Sequence, residues 1–252
     1  MGFGSYDFGY SWPFTHGHLI PALVFGALTF LAWRYKWPRW TAALSAVIAL
    51  WGIAGFFIVQ FAARINQPVE LPTAQFLTSG SGRVLDAGAG SGRATLMVLL
   101  SRPGSRVVAL DKFLAGYGIE DNSPRRLEAN MRAAGVADRV EVKTGDVREM
   151  PLESGSFDAA VSTYVIDHLN REGMTRSLAE MARVLRPGGE FLLMVINRDD
   201  WVRVAYPFLH GHGYFGQAPA ADRWRARLET AGFEIVEQGT RPMTLFFLSR
   251  KK

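Results

Sequence analysis

Two long apolar stretches begin the chain, and shorter apolar runs separated by polar turns follow them. No residue carries a formal charge from Phe8 to Trp33, and a second uncharged run extends from Thr41 to Ala63. A helix that crosses a membrane needs about 20 mostly apolar residues. The pattern therefore predicts an N-terminal membrane segment over residues 1–66, in which apolar helices at about 18–34 and 41–64 form a transmembrane hairpin.

The connector between the two apolar helices favours the same interpretation. It reads Arg34-Tyr-Lys-Trp-Pro-Arg-Trp40, and aromatic rings and long cationic side chains both settle at the level of the lipid headgroups. We therefore expect contact with a lipid bilayer through residues 18–64. Two alternatives stay open: a cleaved signal peptide, which the lack of basic residues in the first seven positions disfavours, and a soluble hairpin packed on the following domain.

After a linker at residues 67–79, the rest of the chain, residues 80–252, alternates apolar strands with helices. The first strand runs into a glycine-rich turn, Asp86-Ala-Gly-Ala-Gly-Ser-Gly92, and a helix follows from about Arg93. Alternating strands and helices are typical of an α/β domain with a largely parallel sheet. The first five strands are expected to end near Asp86, Asp111, Asp146, Thr163 and Ile196.

The carboxylates at these strand ends indicate which ligand the turn binds. Glycines let a ligand approach the backbone closely, but an anionic pyrophosphate would avoid the carboxylate of Asp86. S-adenosylmethionine (SAM), with its sulfonium and protonated amino group, suits an acidic turn better. Asp111 lies about 20 residues after the turn, where an acid bonds ribose hydroxyls, and Asp146 can accept a hydrogen bond from an adenine amine. A turn or helix cap is the alternative for each.

Taken together, these motifs resemble the class I SAM-dependent methyltransferases, in particular the broad group that includes ubiquinone-pathway and small-molecule enzymes. The resemblance covers residues 80–195 and rests on Asp86-x-Gly-x-Gly-x-Gly92, Asp111, Gly145-Asp146, Phe157-Asp158 and Leu185-x-Pro-Gly-Gly189. It implies a Rossmann-like seven-stranded sheet, mostly parallel with an antiparallel last strand. The tail would supply the last two strands, at Phe233–Gln238 and Met243–Ser249.

The resemblance also implies SAM as the cofactor and assigns residues to it. The methionine part would be held by Asp86, Gly88, Ala89, Gly90 and Gly92, the ribose by Asp111, the adenine by Gly145, Asp146 and Val147, and Thr163 would lie beside the cofactor. One departure from the family is an insertion over residues 112–122. It suggests an extra loop over the site.

Candidate catalytic and acceptor-binding residues follow the fourth and fifth strands. Asp167 and His168 are positioned to orient or deprotonate an acceptor, although His168 would equally suit a helix cap. An aromatic segment after the fifth strand has the place of a substrate lid, and the candidate acceptor-binding residues are Tyr164, Tyr206, His210, His212 and Tyr214. If the pairs His16-Gly-His18 and His210-Gly-His212 met they would suit a metal, but we expect no metal.

Composition removes several function classes. The chain has no cysteine, which excludes disulfides, zinc–thiolate sites and a cysteine nucleophile. The net charge of +5 is spread over the chain, with four basic and two acidic residues up to residue 70 and 24 basic and 21 acidic residues after it. Because no basic tail or stripe is present, we expect no nucleic acid partner.

The expected function is transfer of a methyl group from SAM to a hydrophobic or membrane-associated small molecule, such as a lipid amine, a quinone-like phenol or a thiol. The orientation signals conflict, because basic loops prefer the cytoplasm whereas SAM is a cytoplasmic cofactor. The cofactor argument predicts a membrane protein with its catalytic domain on the cytoplasmic side. A non-catalytic SAM-binding component of a membrane complex and a nucleotide-dependent oxidoreductase stay open as alternatives.

Overall fold

The computed structural model describes residues 6–114, 119–206 and 221–252. The N-terminal part contains α1 (Trp12–His16), α2 (Leu19–Arg34) and α3 (Arg39–Phe57), and a π-helical turn, Ile58–Ala62, extends α3. The second part follows with β1 (Ser81–Ala87), α4 (Arg93–Ser101), β2 (Gly104–Asp111), α5 (Pro124–Ala133), β3 (Val140–Thr144), β4 (Phe157–Thr163), α6 (Arg171–Val184), β5 (Leu185–Ile196), α7 (Asp200–Ala205), α8 (Ala221–Thr230), β6 (Phe233–Arg241) and β7 (Thr244–Lys251).

The strands form one seven-stranded sheet in the order β3-β2-β1-β4-β5-β7-β6. Neighbours among β1 to β5 pair in parallel, and β7 pairs antiparallel with both β5 and β6. This confirms the expected sheet with an antiparallel last strand. The fifth strand begins at Leu185, which pairs with Phe157 of β4. The register then shifts so that Ala159 pairs with Glu190, and Gly188, in the irregular stretch between, takes a left-handed φ of +73°.

Alternate residues of the central strands bury their side chains on opposite faces of the sheet. Ala160 and Phe191 belong to the core beneath α6 and α8, whereas Val161 and Leu192 belong to the core beneath α4 and α5. The two cores sandwich the sheet between helices, so the carboxyl ends of the parallel strands are left to form the site.

The apolar helices α2 and α3 pack against each other as an antiparallel hairpin. Their contact uses small side chains, the usual means of close helix approach in membranes: a Cβ added at Gly52 would lie 2.7 Å from the backbone nitrogen of Ala22. Large apolar side chains face outward instead, for example Leu23 at 71% exposure and Trp33 at 73%.

The predicted hairpin of two spanning helices is only partly matched by the helix lengths. Over the described residues, one helix, Arg39–Ala62, is long and apolar enough to cross a membrane. The first helix has 16 residues and ends at Arg34, which makes it shorter than the roughly 20 residues that a span needs. A spanning role for the pair therefore remains a proposal.

Candidate functional site

The glycine-rich turn lies at the carboxyl end of β1 and leads into α4. Gly88, Gly90 and Gly92 all have positive φ, at +86°, +52° and +91°. The backbone N–H groups of Gly88 and Ala89 donate to the carbonyl oxygen of Leu110, at 2.7 and 3.0 Å. The turn is therefore folded over the end of β2, where the next acidic residue lies.

The surroundings of the glycines show where this turn has room for a ligand. A Cβ added at Gly88 would lie 2.3 Å from a methyl group of Val165, so that position is closed by protein. A Cβ added at Gly90 would meet no atom closer than 3.8 Å. The turn thus leaves an open face at Gly90, which suits the close approach of a bound molecule.

Asp86 lies beneath the turn and is fully buried. Thr95 donates from its hydroxyl to one carboxylate oxygen at 2.6 Å, and the other oxygen, Oδ1, has no hydrogen-bond partner among the described residues. Burial raises the pKa of Asp86 to about 7, partly offset by the Thr95 hydrogen bond. An unsatisfied buried oxygen of this kind is costly unless a ligand or water completes it.

Asp111, at the end of β2, ties the turn to the next loop. Its Oδ2 accepts the backbone N–H of Gly90 at 2.9 Å, and its Oδ1 accepts the backbone N–H of Phe113 at 2.6 Å and the Asn122 amide at 3.2 Å. Phe113 takes a positive φ of +53°. The carboxylate thus holds the turn in shape, and its contact with a ribose stays a prediction.

Asp146, which the sequence predicts to bind adenine, forms two ion pairs with cations near it. Its carboxylate is held by Arg148 at 2.7 Å and by Lys112 at 2.8 Å. The hydrogen bond from Arg148 keeps the pKa of Asp146 well below its usual range, with Lys112 acting in the same direction. The neighbouring Gly145 N–H donates to the Asp111 carbonyl at 2.9 Å, and Val147 is buried. Adenine binding would therefore involve the apolar Val147 and the backbone more readily than this carboxylate.

The carboxyl end of β4 carries the catalytic candidates. Thr163 is the last strand residue, and Tyr164 follows with a left-handed φ of +56°. The Tyr164 hydroxyl lies 2.5 Å from the Thr244 hydroxyl, and burial raises the Tyr164 pKa. A non-glycine residue with positive φ is unusual and often marks a functional site.

Asp167 and His168 lie in a short 3₁₀ turn, Ile166–His168, which begins two residues after this tyrosine. Asp167 is buried, and its Oδ2 accepts the backbone N–H of Ile196 at 3.0 Å. Burial raises the Asp167 pKa, and the neighbouring His168 opposes this effect. The hydrogen bond joins the ends of β4 and β5, so Asp167 positions the loop, whereas the half-buried His168 stays the candidate base.

The N-terminal segment reaches the same site through the insertion after β2 and through Arg93. Tyr10 forms an antiparallel bridge with Ile119, so the insertion packs against the segment before α1. Arg93, the first residue of α4, donates to the carbonyls of Gln67 and Arg64 at 2.8 and 3.1 Å and to the Tyr10 hydroxyl at 3.4 Å. The Arg93 guanidinium also lies over the Tyr10 ring, 5.7 Å from its centre.

Phe14 of α1, His18 before α2 and Trp51 of α3, which we call the base of the hairpin, contact the segment that follows β5. Tyr206 stacks on Phe14 with ring centroids 5.2 Å apart and donates from its hydroxyl to the Phe14 carbonyl at 3.1 Å. The Trp51 indole N–H of α3 donates to the Val204 carbonyl at 2.6 Å, and His18 Nε2 is hydrogen-bonded to the Ala205 carbonyl. These contacts were invisible to sequence periodicity because they join residues more than 150 positions apart.

Three of the candidate residues, His210, His212 and Tyr214, lie outside the described residues. His18 is committed to the Ala205 carbonyl, and His16 Nδ1 lies 2.7 Å from the Thr15 hydroxyl. Within the described ranges no cluster of three or more histidine and acidic side chains is arranged to hold a metal ion.

Comparison with known proteins gives a consistent result. The family model of a methyltransferase domain matches residues 84–189. A protein of Encephalitozoon cuniculi named as a methyltransferase is 30% identical over 187 residues, which cover 67% of this chain and 78% of that protein. A Mycolicibacterium smegmatis protein, named as an S-adenosylmethionine-dependent methyltransferase, is 35% identical over 155 residues, or 61% of this chain and 52% of that protein.

Solved structures show the same fold. A SAM-dependent methyltransferase from Methanosarcina mazei aligns with a TM-score of 0.55 and 18% identity, covering 73% of this chain and 99% of that one.

Several curated relatives are longer than the matched region: the chain spans 39% of a Streptomyces fradiae protein, 6% of an Emericella nidulans polyketide synthase and 53% of a Haemophilus influenzae protein. The similarity therefore concerns the catalytic domain.

Proposed function

The chain belongs to the SAM-dependent methyltransferases, and on that premise we propose that it methylates a hydrophobic small molecule dissolved in a membrane. SAM is the cofactor of this family, and its chemistry is to supply a methyl group bonded to a positively charged sulfur. The proposal concerns two matters beyond family membership: the class of acceptor and the role of the apolar hairpin.

The glycine-rich turn fits this cofactor. Gly90 has open space beside it, and the buried Asp86 has an oxygen without a partner among the described residues. Asp86 and the turn residues Gly88 to Gly92 would hold the methionine part, Asp111 the ribose, and Val147 with the backbone at Gly145 and Asp146 the adenine. Thr163, at the end of β4, would lie beside them.

Methyl transfer is mainly a matter of alignment and exclusion of water, so few reactive side chains are required. The raised pKa of Tyr164 keeps its phenol protonated at neutral pH, which suits a hydrogen-bond donor that orients the acceptor. His168 would accept a proton where the acceptor must lose one. Asp167 would act as a positioning residue, because it holds the loop that carries both side chains.

One observation carries the choice of acceptor: the base of the hairpin meets the segment after β5, where enzymes of this fold bind their acceptors. Phe14, Tyr206 and Trp51 link the two parts through a ring stack and two hydrogen bonds to backbone carbonyls. An acceptor that reaches this junction would come from the surroundings of the hairpin. A lipid amine, a quinone-like phenol or an apolar thiol has the solubility for that route.

The surface of the hairpin supports insertion into a bilayer. Outward-facing side chains such as Leu23, Trp33, Leu50 and Phe61 are large, apolar and mostly exposed. A helix that only lies on a membrane surface carries a charged face, and residues 41–63 have no charge at all. We place the catalytic domain on the cytoplasmic side because SAM is a cytoplasmic cofactor.

The test is SAM turnover by the detergent-extracted full chain. Extracted membrane lipids, quinones and thiols would be supplied separately with SAM labelled in its methyl group, and mass spectrometry would identify labelled products. Trp51→Phe removes one link between hairpin and domain, and we expect it to raise the KM for the apolar acceptor while the Kd for SAM stays unchanged.

Three results would refute parts of this proposal. Absence of SAM binding in calorimetry would reject the cofactor assignment. Turnover of water-soluble acceptors only would reject the acceptor class. Stable capture of SAM with no labelled product from any extract, together with a bound partner protein, would favour a non-catalytic role in a membrane complex.

A further inference from the structure

The end of the hairpin remote from the catalytic domain carries three cations that no acidic side chain offsets. Arg34, Lys36 and Arg39 lie in or beside the turn between α2 and α3, and all three are exposed. The sequence contains no acidic residue between Asp7 and Glu70, and no ion pair joins these cations to any described residue. Their charge is therefore available to an external anion.

An apolar cleft opens at this same tip. It has a volume of about 170 Å³ and is lined on the α2 side by Phe25, Leu28 and Ala32 and on the other side by Trp37, Trp40 and Leu44. Thr41 and Ser45 complete the lining, which is otherwise apolar. Trp37 and Trp40 alternate along the chain with the cations, so the cleft lies beside the cationic turn. This combination matches an amphiphile with an anionic head and a hydrocarbon chain.

The length of α2 explains why the cations would meet lipid headgroups. Sixteen residues give a rise of about 24 Å, whereas the hydrocarbon core of a bilayer is about 30 Å thick. The end of an inserted α2 would consequently stop about 6 Å short of the far border of the hydrocarbon core, a distance that a long cationic side chain can span. There the long side chains of Arg34, Lys36 and Arg39 can extend to phosphate groups while the tryptophans remain in the interface.

We propose that the hairpin tip is a binding site for an anionic phospholipid, with the headgroup phosphate bound by Arg34, Lys36 and Arg39 and one acyl chain in the cleft. This inference rests on the proposed insertion of the hairpin into a membrane. It adds a lipid ligand that is distinct from the methyl acceptor, because the tip lies at the opposite end of α2 from His18, which contacts the catalytic domain.

The experiment is lipid binding by the full chain in a non-ionic detergent, followed by native mass spectrometry. The probes are phosphatidylglycerol and phosphatidylcholine with identical acyl chains, and glycerol 3-phosphate as a headgroup without a chain. We expect the protein to retain phosphatidylglycerol in preference to phosphatidylcholine and to bind glycerol 3-phosphate far more weakly. Tight binding of glycerol 3-phosphate would instead indicate a free-phosphate site and would overturn the proposal.

Two variants separate the charges from the cleft. Replacing Arg34, Lys36 and Arg39 together with Gln should weaken phosphatidylglycerol binding about fivefold for each cation removed, the change expected of one Lys or Arg near an anionic surface. A matched triple variant on the catalytic domain (Arg132→Gln, Arg176→Gln, Arg223→Gln) should leave it unchanged.

Leu44→Trp should fill the cleft and weaken retention of the lipid, whereas Leu50→Trp, on an equally exposed apolar part of α3 outside the cleft, should not. Leu44 is 55% exposed and Leu50 64%, so both variants are expected to fold. Equal retention of the two phospholipids by the unmodified protein, or no difference between the two Trp variants, would overturn the proposal. Measuring SAM affinity and partition into vesicles on the same samples shows separately whether the proposed function has failed.

Discussion

Replacing Gly90 with alanine tests the cofactor cradle most directly. Gly90 has φ +52°, and a Cβ there would meet no protein atom closer than 3.8 Å. The new methyl group would therefore project into the space assigned to the cofactor rather than into the protein. Overpacking by one methyl group costs about 1–3 kcal/mol, which weakens binding about 5- to 150-fold because about 1.4 kcal/mol is a factor of ten.

A control variant separates this loss from a general effect of the backbone. Gly135 also has a positive φ, +68°, with no atom within 4 Å of an added Cβ, but it lies at the end of α5. Both alanine variants should lose about 1–2 kcal/mol of folding stability from the left-handed conformation. Only Gly90→Ala should also lose affinity for SAM, measured by calorimetry on protein whose folding is checked by thermal melting.

The reasoning is refuted if Gly90→Ala binds SAM as tightly as Gly135→Ala does. That result would mean that the open face of the turn is not where the cofactor lies. Gly88→Ala cannot replace this test, because its Cβ would lie 2.3 Å from Val165 and the variant would lose stability directly.

Three further predictions follow from the buried groups and the hairpin. The pKa of Asp86 is raised to about 7, so the folded state binds the proton of this carboxyl more tightly than the unfolded state does. The contribution of Asp86 to the free energy of unfolding is therefore complete below about pH 3.8 and is lost as the pH rises to about 7. Asp86→Asn should remove that slope, and thermal melts of both proteins from pH 4 to pH 8 would check it; parallel curves would contradict it. Gly55→Ala would place a Cβ 2.1 Å from the His18 ring and should lower the stability of the hairpin attachment by about 1–3 kcal/mol. The control Gly26→Ala, with no atom within 4 Å of the added Cβ, should stabilise its helix by about 0.5–1 kcal/mol. Hydrogen exchange at α7 would reveal the difference, and equal exchange in the two variants would argue against a His18 anchor. Thr244→Val should lower turnover and leave SAM affinity unchanged, because it removes the hydroxyl partner of Tyr164; an unchanged rate would exclude Tyr164 from orienting the acceptor.

Two acidic residues of the candidate site have partners that the sequence pattern did not predict. Asp146 follows a strand in the position of an adenine-binding acid, but cations at Arg148 and Lys112 hold its carboxylate. Asp167 follows β4 in the position of a catalytic group, but its buried carboxylate accepts a backbone hydrogen bond from Ile196. In both cases the assignment to the site stays a prediction from the position along the chain, while the partners that decide the chemistry of the carboxylate come from other residues.

The sequence by itself determined the parts that depend on local patterns. The glycine-rich turn after Asp86, the strand-ending Asp111 and the order of apolar strands predict the seven-stranded sheet, because backbone conformation and side-chain alternation are set by neighbouring residues. The uncharged runs likewise predict α2 and α3. Motifs of this kind also suffice to indicate SAM.

Only the tertiary structure decided how the two parts of the chain meet. The Arg93 side chain joins the linker to the glycine turn, and Trp51 and Tyr206 join the hairpin to the segment after β5. These bonds run between residues far apart in sequence, and an arginine, a tryptophan or a tyrosine in isolation has no period that identifies its partner. Which groups are buried, and so whose pKa is raised, is likewise a property of the packed chain rather than of any segment of it.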